Sequence, residues 1–588
     1  MNQPDLKTAV SVRQREVPAL NGALHENPLV HRILAARGVS DSAELGFSLA
    51  DLPRPDSLPD IDAAVRRLLE ARERGERVLI VGDYDCDGAT STAVAMLGLQ
   101  LLGFEHVDYL IPSRFAFGYG LSPAIVDVAK VEHAPHLIVT VDNGIASVEG
   151  VAHASSLGID VIVTDHHLAP VSLPVACALV NPNIPGAQFP AKNLAGVGVV
   201  FYTLLAVRSA LQERRDAFAR AALAQLLDLV AIGTVADVVP LDKVNRILVE
   251  QGLRRIRAGQ TRPGVMALLQ EAGRASESIS TQDIGFGLGP RLNAAGRLDD
   301  MRLGVQCLLA DSDALARHLA AALSSLNQKR RVIEQDMRTM AEEQLDALQA
   351  NRRAAQDGFG VCLMDDSWHQ GVIGILASRI KEQIHRPVVV FTADDEHNLK
   401  GSARSIPGVH IRDVLQEIVA KNPGMIEKFG GHAMAAGLTL PRKHYEAFNT
   451  AFEQTIERVA NGQHAQREFV TDGSLNPSER SLGNAQLLAN LMPWGQSCEA
   501  PVFADNFRVK NHRVVGNGHL KLTLVDTVSA TKSTSGNVAD LDAIAFNCSA
   551  SVDTGDTVFM VYSLDVNTWR DRQSLQLRVH HLERAGLR

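Results

Sequence analysis

Three short apolar segments in the first third of the chain each end in aspartate, and this repetition constrains the fold more than any other feature. They read RVLIVGDYDCDG from Arg77, HLIVTVDNG from His136 and DVIVTDHH from Asp160. Each is a β-branched run of strand length, and an apolar stretch with helical spacing follows the first. Alternating strands and helices predict a parallel sheet in an α/β domain. Because ligands bind beyond the carboxyl ends of such strands, we expect the acidic ends to converge on one site.

Acidic residues and histidines at these ends have the chemistry of a metal centre. Asp83, Asp85 and Asp87 alternate in DYDCDG, so an extended segment would project their carboxylates toward one side. Like charges this close repel strongly unless cations lie among them. Oxygen ligands with some histidine favour Mg²⁺ or Mn²⁺ over zinc, so the pattern predicts a two-metal hydrolytic centre. The further candidates are Asp142, Asp165, His166, His167 and, in a loop after a long helical stretch, Asp237.

Each of these residues also has an ordinary structural interpretation. A single aspartate at a strand end commonly caps a turn or a helix. A single pair of adjacent histidines commonly lies on the surface or in a satisfied core. The repetition of the pattern at successive elements favours the metal centre over these alternatives.

The rest of the 588-residue chain indicates further domains. No Gly or Pro occurs between Val305 and Asp357, which predicts one or two long helices. The α/β pattern returns from Val361, and strand-like runs after a linker at 461–468 predict a small β-barrel, preferably of the OB type. The predicted parts are an N-terminal extension at 1–60, an α/β domain at 61–305, connecting helices at 306–357, a second α/β domain at 358–462 and a β domain at 468–588.

Composition excludes several classes of protein. With 46% hydrophobic and 21% charged residues, the chain can bury large cores and is not predominantly disordered. The six cysteines form no CxxC pair, which argues against a zinc ribbon and a disulfide scaffold. The net charge of −9 gives no overall basic character, so a polyanion must meet local arginines or metal ions. No signal peptide or apolar span is evident, which predicts a cytoplasmic protein without a membrane partner.

Several motifs carry a resemblance to a known family. DYDCDG, VTVDNG, TDHH and GTVADVVPL resemble the four motifs of the DHH phosphoesterase superfamily, and FGGHAMAAGL is similar to a motif of its DHH-associated domain. IPSRFAFGYGL, GPRLNAAGRL, WHQGVIGILASRI and GSARS resemble the bacterial single-strand-specific 5′-to-3′ DNA exonucleases of this superfamily. The resemblance covers nearly the whole chain and is weakest after residue 460. It implies a parallel-sheet DHH domain, a long helical connector, a DHH-associated α/β domain and a C-terminal OB fold.

The resemblance implies two sets of metal ligands that share one carboxylate. The sets are Asp83, Asp85 and Asp142 for one cation, and Asp87, His166 and Asp237 for the other, with Asp142 as the bridge. His167 would contact the scissile phosphate or orient a ligand. Position 83 is Asp where many members of the superfamily have His, which leaves the choice between Mn²⁺ and Mg²⁺ open.

The resemblance also implies residues that bind the DNA strand. Arg114, Ser378 and Arg379 would recognise a 5′ phosphate, and Tyr119 would stack on a base. For any single arginine, a solvated or salt-bridged side chain is the alternative, and a Gly-Gly-His turn can be purely structural. The remaining candidates are Arg291, Arg297, Arg404 and His432. All the candidate arginines, together with Ser378, are expected in glycine-containing loops or at helix starts.

These features predict an enzyme that uses two divalent cations, Mn²⁺ or Mg²⁺, to hydrolyse single-stranded DNA from its 5′ end to mononucleotides in DNA repair and recombination. By resemblance alone, we expect a single-strand-binding protein and a helicase as partners, and a monomer. One alternative is a DHH phosphatase of short oligonucleotides or small phosphate esters, which would not need the C-terminal β domain. The other is an inactive strand-binding scaffold, whose expected signature is loss of metal ligands.

Overall fold

The computed structural model describes residues 10–19, 22–352, 358–461, 466–516, 518–527, 540–546, 548, 552–570 and 572–585. Contacts divide the chain into a smaller unit, residues 1–12 with 325–469, and a larger unit, residues 13–324 with 470–588. Residues 353–357 of the predicted connecting segment and 462–465 of the predicted linker lie outside the described residues. In the part that is described, no helix combines the length and apolar composition needed to cross a membrane.

Strands and helices alternate between residues 78 and 164, as the sequence pattern predicts, and helices without intervening strands follow from residue 196 to residue 352. The strands are β1 (Val10–Gln14), β2 (Val78–Gly82), β3 (Val107–Leu110), β4 (Leu137–Val141), β5 (Asp160–Thr164), β6 (Ala178–Val180), β7 (Val361–Met364), β8 (Val388–Ala393), β9 (Asn398–Arg404), β10 (Lys428–Gly431), β11 (Ala435–Pro441), β12 (Arg467–Thr471), β13 (Phe503–Val515), β14 (His519–Asp526), β15 (Leu541–Ala545), β16 (Thr557–Trp569) and β17 (Arg572–Arg584). The α-helices are α1 (Pro28–Ala35), α2 (Ile61–Glu73), α3 (Cys86–Leu101), α4 (Pro123–Glu132), α5 (Val148–Ser156), α6 (Gly196–Glu213), α7 (Leu227–Ala236), α8 (Lys243–Arg257), α9 (Pro263–Glu271), α10 (Thr281–Asp283), α11 (Gly289–Leu298), α12 (Arg302–Leu309), α13 (Asp313–Arg352), α14 (Ile373–Ile384), α15 (Ile411–Lys421), α16 (Tyr445–Val459) and α17 (Leu482–Asn490).

A parallel sheet organises the larger unit. Its strand order is β3-β2-β4-β5-β6, and every residue of β2 and β4 is buried, as expected for a parallel sheet covered on both faces. The last residues of β2, β4 and β5 are register partners. The next residues, Asp83, Asp142 and Asp165, therefore leave the sheet at one level of its carboxyl edge.

The DYDCDG segment is not extended, so the prediction that extended geometry projects its three carboxylates to one side is wrong. Helix α3 begins at Cys86, and the Asp85 carboxylate caps it by accepting from the Gly88 amide at 2.9 Å. A Cβ on Gly88 would lie 2.5 Å from the Asp83 carbonyl oxygen. Glycine at position 88 therefore allows the first turn of α3 to pack against the end of β2.

The smaller unit contains the predicted second α/β domain, which is confirmed. Its sheet has the order β10-β11-β9-β8-β7, in which β7 and β8 are parallel and the other pairs are antiparallel. The predicted long helix is α13, of 40 residues. The predicted glycine-rich turn is the β10–β11 hairpin, in which the amide of His432 donates to the carbonyl of Ala435 at 2.8 Å.

The C-terminal strands form the predicted OB-like barrel. It closes in the order β13-β14-β15-β17-β16, with β15 and β17 parallel and the other described pairs antiparallel. Strand β12, which pairs with β1, and helix α17 precede the barrel. Residues 472–502, between β12 and the barrel, are called the arm below.

A buried arginine joins the arm to the barrel. The Arg480 side chain is 3% exposed and donates to the Tyr562 hydroxyl at 3.0 Å. It also forms ion pairs with Asp505, at 3.0 Å, and with Asp526. The two carboxylates neutralise a cation that burial would otherwise make unfavourable.

Replacing Arg480 with Ala should lower the free energy of unfolding by about 3–5 kcal/mol, because the buried Asp526 and the largely buried Asp505 lose their cation. Equilibrium urea unfolding measures the change. Arg513→Ala, at an exposed position of β13, is the control and should cost less than about 1 kcal/mol. An equal, small effect of both variants would contradict a stabilising role for the buried pair.

Candidate metal centre

Three groups of acidic and histidine side chains meet beyond the carboxyl edge of the parallel sheet. Within each group, one ligand atom per residue lies within 4.8 Å of the others. The Nε2 atom of His166 is 3.2 Å from Asp142 Oδ1 and 3.4 Å from Asp237 Oδ2, so the groups adjoin. The groups are Asp83 with Asp85 and Asp142, Asp87 with His166 and Asp237, and Asp142 with His166 and His167.

The residues of the first two groups are the two ligand sets that the resemblance implies. Asp142 Oδ1 and Asp237 Oδ2 are buried and accept no hydrogen bond from the residues that the structure describes. A buried carboxylate oxygen without a hydrogen bond is costly. Oxygen ligands supplemented by imidazole suit Mg²⁺ or Mn²⁺, so the side chains present fit a pair of such cations.

The electrostatics of these carboxylates also favour bound cations. Burial, followed by repulsion from neighbouring carboxylates, raises the pKa of Asp83, Asp87 and Asp142 well above the usual range. Burial and the charge of Asp85 raise the pKa of Asp237 to about 7. Cations among the carboxylates would reverse this effect, because positive charge stabilises the ionised form.

The N-terminus of α6 holds Asp87. The amides of Gly196 and Val197 donate to the two carboxylate oxygens of Asp87 at 2.6 and 3.0 Å. The helix dipole places partial positive charge at this end. A Cβ on Gly196 would lie 2.6 Å from Asp142 Oδ1. Glycine at position 196 therefore allows the helix to approach both carboxylates.

Asp165 orients the two histidines. Its Oδ1 accepts from the amides of His166, at 2.7 Å, and His167, at 3.1 Å, and lies 2.8 Å from Nδ1 of His167. Its Oδ2 accepts from the amide of Ile145 at 2.9 Å. Burial alone would raise the pKa of Asp165, but these interactions keep it below its usual value. Against the opposing effect of burial, Asp165 raises the pKa of His167 to about 9.

Three asparagines that the sequence analysis missed support the same loops. The side chains of Asn181 and Asn183 donate to the carbonyls of His167, at 2.9 Å, and His166, at 2.6 Å. The side chain of Asn293, on α11, accepts from the amide of Cys86 at 2.8 Å. The NPN sequence after β6, the fifth parallel strand, is a signal that could have indicated the first two.

Two of the predicted DNA-binding residues lie beside the metal centre. The guanidinium of Arg114 stacks on the ring of Tyr84, 4.3 Å from its centroid. The hydroxyl of Tyr119 donates to the carbonyl of Asp142 at 3.3 Å and lies 3.1 Å from Nδ1 of His167. The loop after β3 therefore brings a guanidinium and an aromatic ring to the edge of the site.

Arg291 and Arg297 lie on α11. Arg291 donates to the carbonyls of Gly287, at 2.8 Å, and Glu271, at 2.7 Å, so its guanidinium supports the fold. Arg297 is in the last turn of α11, so its predicted placement in a loop or at a helix start is wrong. Their contacts with DNA stay predictions.

The other candidates belong to the smaller unit, and two of them touch. Arg404 Nε donates to the Ser378 hydroxyl at 3.2 Å. Arg404 ends strand β9, and Ser378 and Arg379 lie in the middle of α14, so their predicted placement in loops or at helix starts is wrong. Arg379, next to Ser378 on α14, pairs with Glu334 at 3.1 Å. His432 is exposed in the β10–β11 turn. Phosphate recognition by these residues stays a prediction.

Three family models match successive parts of the chain. The model of the DHH family, N-terminal domain, matches residues 77–234. The DHHA1 domain model matches residues 356–458, and the RecJ OB domain model matches residues 471–581. The three models follow one another along the chain in the order of its α/β domains and barrel.

Sequence and structure relatives agree with these models. The chain is 47% identical to the single-stranded-DNA-specific exonuclease RecJ of Escherichia coli, over 98% of this chain and 100% of that one. It is 32% identical to the Bacillus subtilis protein of the same name, over 96% of this chain and 69% of that one. A crystal structure of RecJ from Thermus thermophilus in complex with Mn²⁺ matches with a TM-score of 0.78 and 27% identity, over 98% of this chain and 80% of that one.

Asp165→Asn should weaken Mn²⁺ binding by about 10- to 100-fold, the usual effect of disturbing the groups that orient metal ligands. The amide keeps the shape of the side chain but removes the negative charge that raises the pKa of His167. Calorimetric titration with Mn²⁺ measures the change. Asp160→Asn, at the exposed start of the same strand, is the control and should bind as the unchanged chain does. Equal affinity in both variants would show that Asp165 does not orient the ligands.

Proposed function

Because the chain belongs to the RecJ family of single-stranded-DNA-specific exonucleases, we propose that it hydrolyses single-stranded DNA from the 5′ end to mononucleotides in DNA repair and recombination. The observation that carries this proposal is the adjoining pair of ligand groups at the sheet edge. All the ligands that the family resemblance implies are present and lie together. This counts against an inactive strand-binding scaffold, which would need none of them.

The proposed cofactors are two divalent cations, Mn²⁺ or Mg²⁺. When bound, such a pair activates water for attack on phosphorus and stabilises the charge on the phosphoryl and leaving oxygens. The proposed ligand sets are Asp83, Asp85 and Asp142, and Asp87, His166 and Asp237. The chain fixes these side chains by the strand ends, by the N-terminus of α6 and by Asp165, so little reorganisation is needed during reaction.

Side chains of the larger unit and of the smaller unit are proposed to hold the substrate. Arg114 and Tyr119 lie at the edge of the ligand groups, where a guanidinium can bind phosphate and a ring can stack on a base. Ser378 and Arg379, with Arg404 in contact, are proposed to recognise the 5′ phosphate. Arg291, Arg297 and His432 complete the proposed set.

The domain boundaries and the biological setting are part of the same proposal. The proposed domains are an N-terminal extension at 1–60, an α/β domain at 61–305, connecting helices at 306–357, a second α/β domain at 358–462 and a β domain at 468–588. The proposed setting is a cytoplasmic monomer that works with a single-strand-binding protein and a helicase, and its support is family membership. A phosphatase of short oligonucleotides is the second candidate, and the closed barrel counts against it because a small substrate needs no such domain.

Digestion of an end-labelled single strand and of a dinucleotide, with and without Mn²⁺, tests the proposal. Mn²⁺-dependent release of the 5′ nucleotide from the long strand is the expected result. Cleavage of the dinucleotide alone would favour the phosphatase. Binding of the long strand without any cleavage would favour the scaffold.

Asp142→Ala should abolish hydrolysis and leave DNA binding largely intact. The variant removes the ligand shared by both proposed sets, whereas phosphate contacts elsewhere hold the strand. Turnover at saturating Mn²⁺ and binding of a labelled strand without metal measure the two effects. A variant that keeps more than about a hundredth of the normal rate would exclude the bridging role, because disturbing supporting groups already costs about 10- to 100-fold.

Arg379→Ala should impair hydrolysis of 5′-phosphorylated strands selectively. Charge-assisted hydrogen bonds contribute about 1.5–3 kcal/mol, which corresponds to a loss of roughly 10- to 150-fold in kcat/KM. Matched 5′-hydroxyl strands already lack the partner and should show almost no loss. Lys381→Ala, two residues along α14, is the control for a general loss of positive charge. An equal loss on both kinds of strand would remove Arg379 from end recognition.

A further inference from the structure

The loop that carries Asp237 contains a strained residue. Helix α7 ends at Ala236, Asp237 is its C-cap residue, and the next residue, Val238, has a φ of 62°. β-branched residues rarely adopt this left-handed conformation. The Val238 side chain is 62% exposed, so core packing of the side chain does not impose it. Such a conformation persists only where the surrounding structure holds the chain on both sides.

The C-terminal side of this loop is held by the arm. The amide of Leu241 donates to the carbonyl of Gln496 at 2.8 Å. The Leu241 side chain is 3% exposed and packs against Gly495, where a Cβ would lie 2.6 Å from Leu241 Cδ1. Asn245 adds a hydrogen bond from its side chain to the carbonyl of Pro240 at 2.9 Å.

The arm itself is fixed to the N-terminal extension and to the α/β domain of the larger unit. Arg37 and Asp472 form an ion pair in which both side chains are 2% exposed. Arg37 also donates to the carbonyl of Glu499 at 2.9 Å. The hydroxyl of Thr281 donates to the carbonyl of Trp494 at 2.5 Å. These contacts, on both sides of Gly495 in the sequence, make the arm a rigid support for Leu241.

We propose that the arm is a positioning element of the metal centre. Gly495 and Gln496 hold Leu241 in place. This contact keeps Val238 in its left-handed conformation and Asp237 beside His166. The arm thus acts on the reaction through a metal ligand, although it precedes the barrel in the sequence and lies more than 200 residues from that ligand. This proposal rests on the assignment of Asp237 as a ligand under the proposed function.

Gly495→Val in the full chain tests the arm, because the added side chain displaces Leu241. Mn²⁺ affinity by calorimetric titration should fall by about 10- to 100-fold, with the same shift in the Mn²⁺ concentration for half-maximal hydrolysis. The KM for DNA at saturating Mn²⁺ should not change. Gly483→Val is the matched control, since a Cβ there meets nothing within 4 Å. Normal Mn²⁺ affinity in Gly495→Val would overturn the proposal.

A second pair of variants tests the strain and does not depend on the folding of Gly495→Val. Leu241→Ala removes the anchor and should weaken Mn²⁺ binding, whereas Leu253→Ala, equally buried on α8, should lower only the melting temperature. Adding Val238→Asn should restore most of the affinity of Leu241→Ala, because asparagine adopts the left-handed conformation more readily. Failure of this rescue would overturn the link through Val238.

An unchanged chain that binds Mn²⁺ but cleaves no DNA would contradict the proposed function and leave these comparisons valid.

Discussion

The repulsion among buried carboxylates at the edge of the parallel sheet is the constraint on which the rest of the structure depends. Asp83, Asp87, Asp142 and Asp237 lie close together and have raised pKa values, because burial and like charges disfavour their ionised forms. A cluster of this kind separates or takes up protons unless cations bind among its members. The surrounding residues hold the carboxylates in place for such cations.

Several separate contacts hold the cluster in place. Parallel register brings three strand ends to one level, and the N-terminus of α6 offers amide donors and a favourable dipole to Asp87. Asp165 fixes the histidine pair through its Oδ1 atom, and its Oδ2 atom accepts from the amide of Ile145. The side chain of Asn293 holds the start of α3. Mutation of groups that orient ligands in this way commonly lowers metal affinity by about 10- to 100-fold.

The arm contacts both the barrel and the loop that carries Asp237. Asp472 of the arm forms a buried ion pair with Arg37 of the N-terminal extension, and Arg480 of the arm forms ion pairs with the barrel. The match to the RecJ OB domain model begins at residue 471 and therefore includes the arm. In the structure, however, Gln496 contacts the loop of Asp237, so the arm serves the metal centre as well as the barrel.

The sequence by itself determined the parallel sheet, the second α/β domain, the long helix and the barrel, because hydrophobic periodicity and breaker residues report local structure directly. It also indicated the acidic strand ends, since parallel strands share one carboxyl edge. Tertiary structure alone decided that a helix begins at Cys86 within DYDCDG. It also decided that the guanidinium of Arg291 donates hydrogen bonds to backbone carbonyls. It likewise decided that Leu241 meets Gln496. Contacts between residues distant in sequence leave no periodic pattern, and only packing brings such partners together.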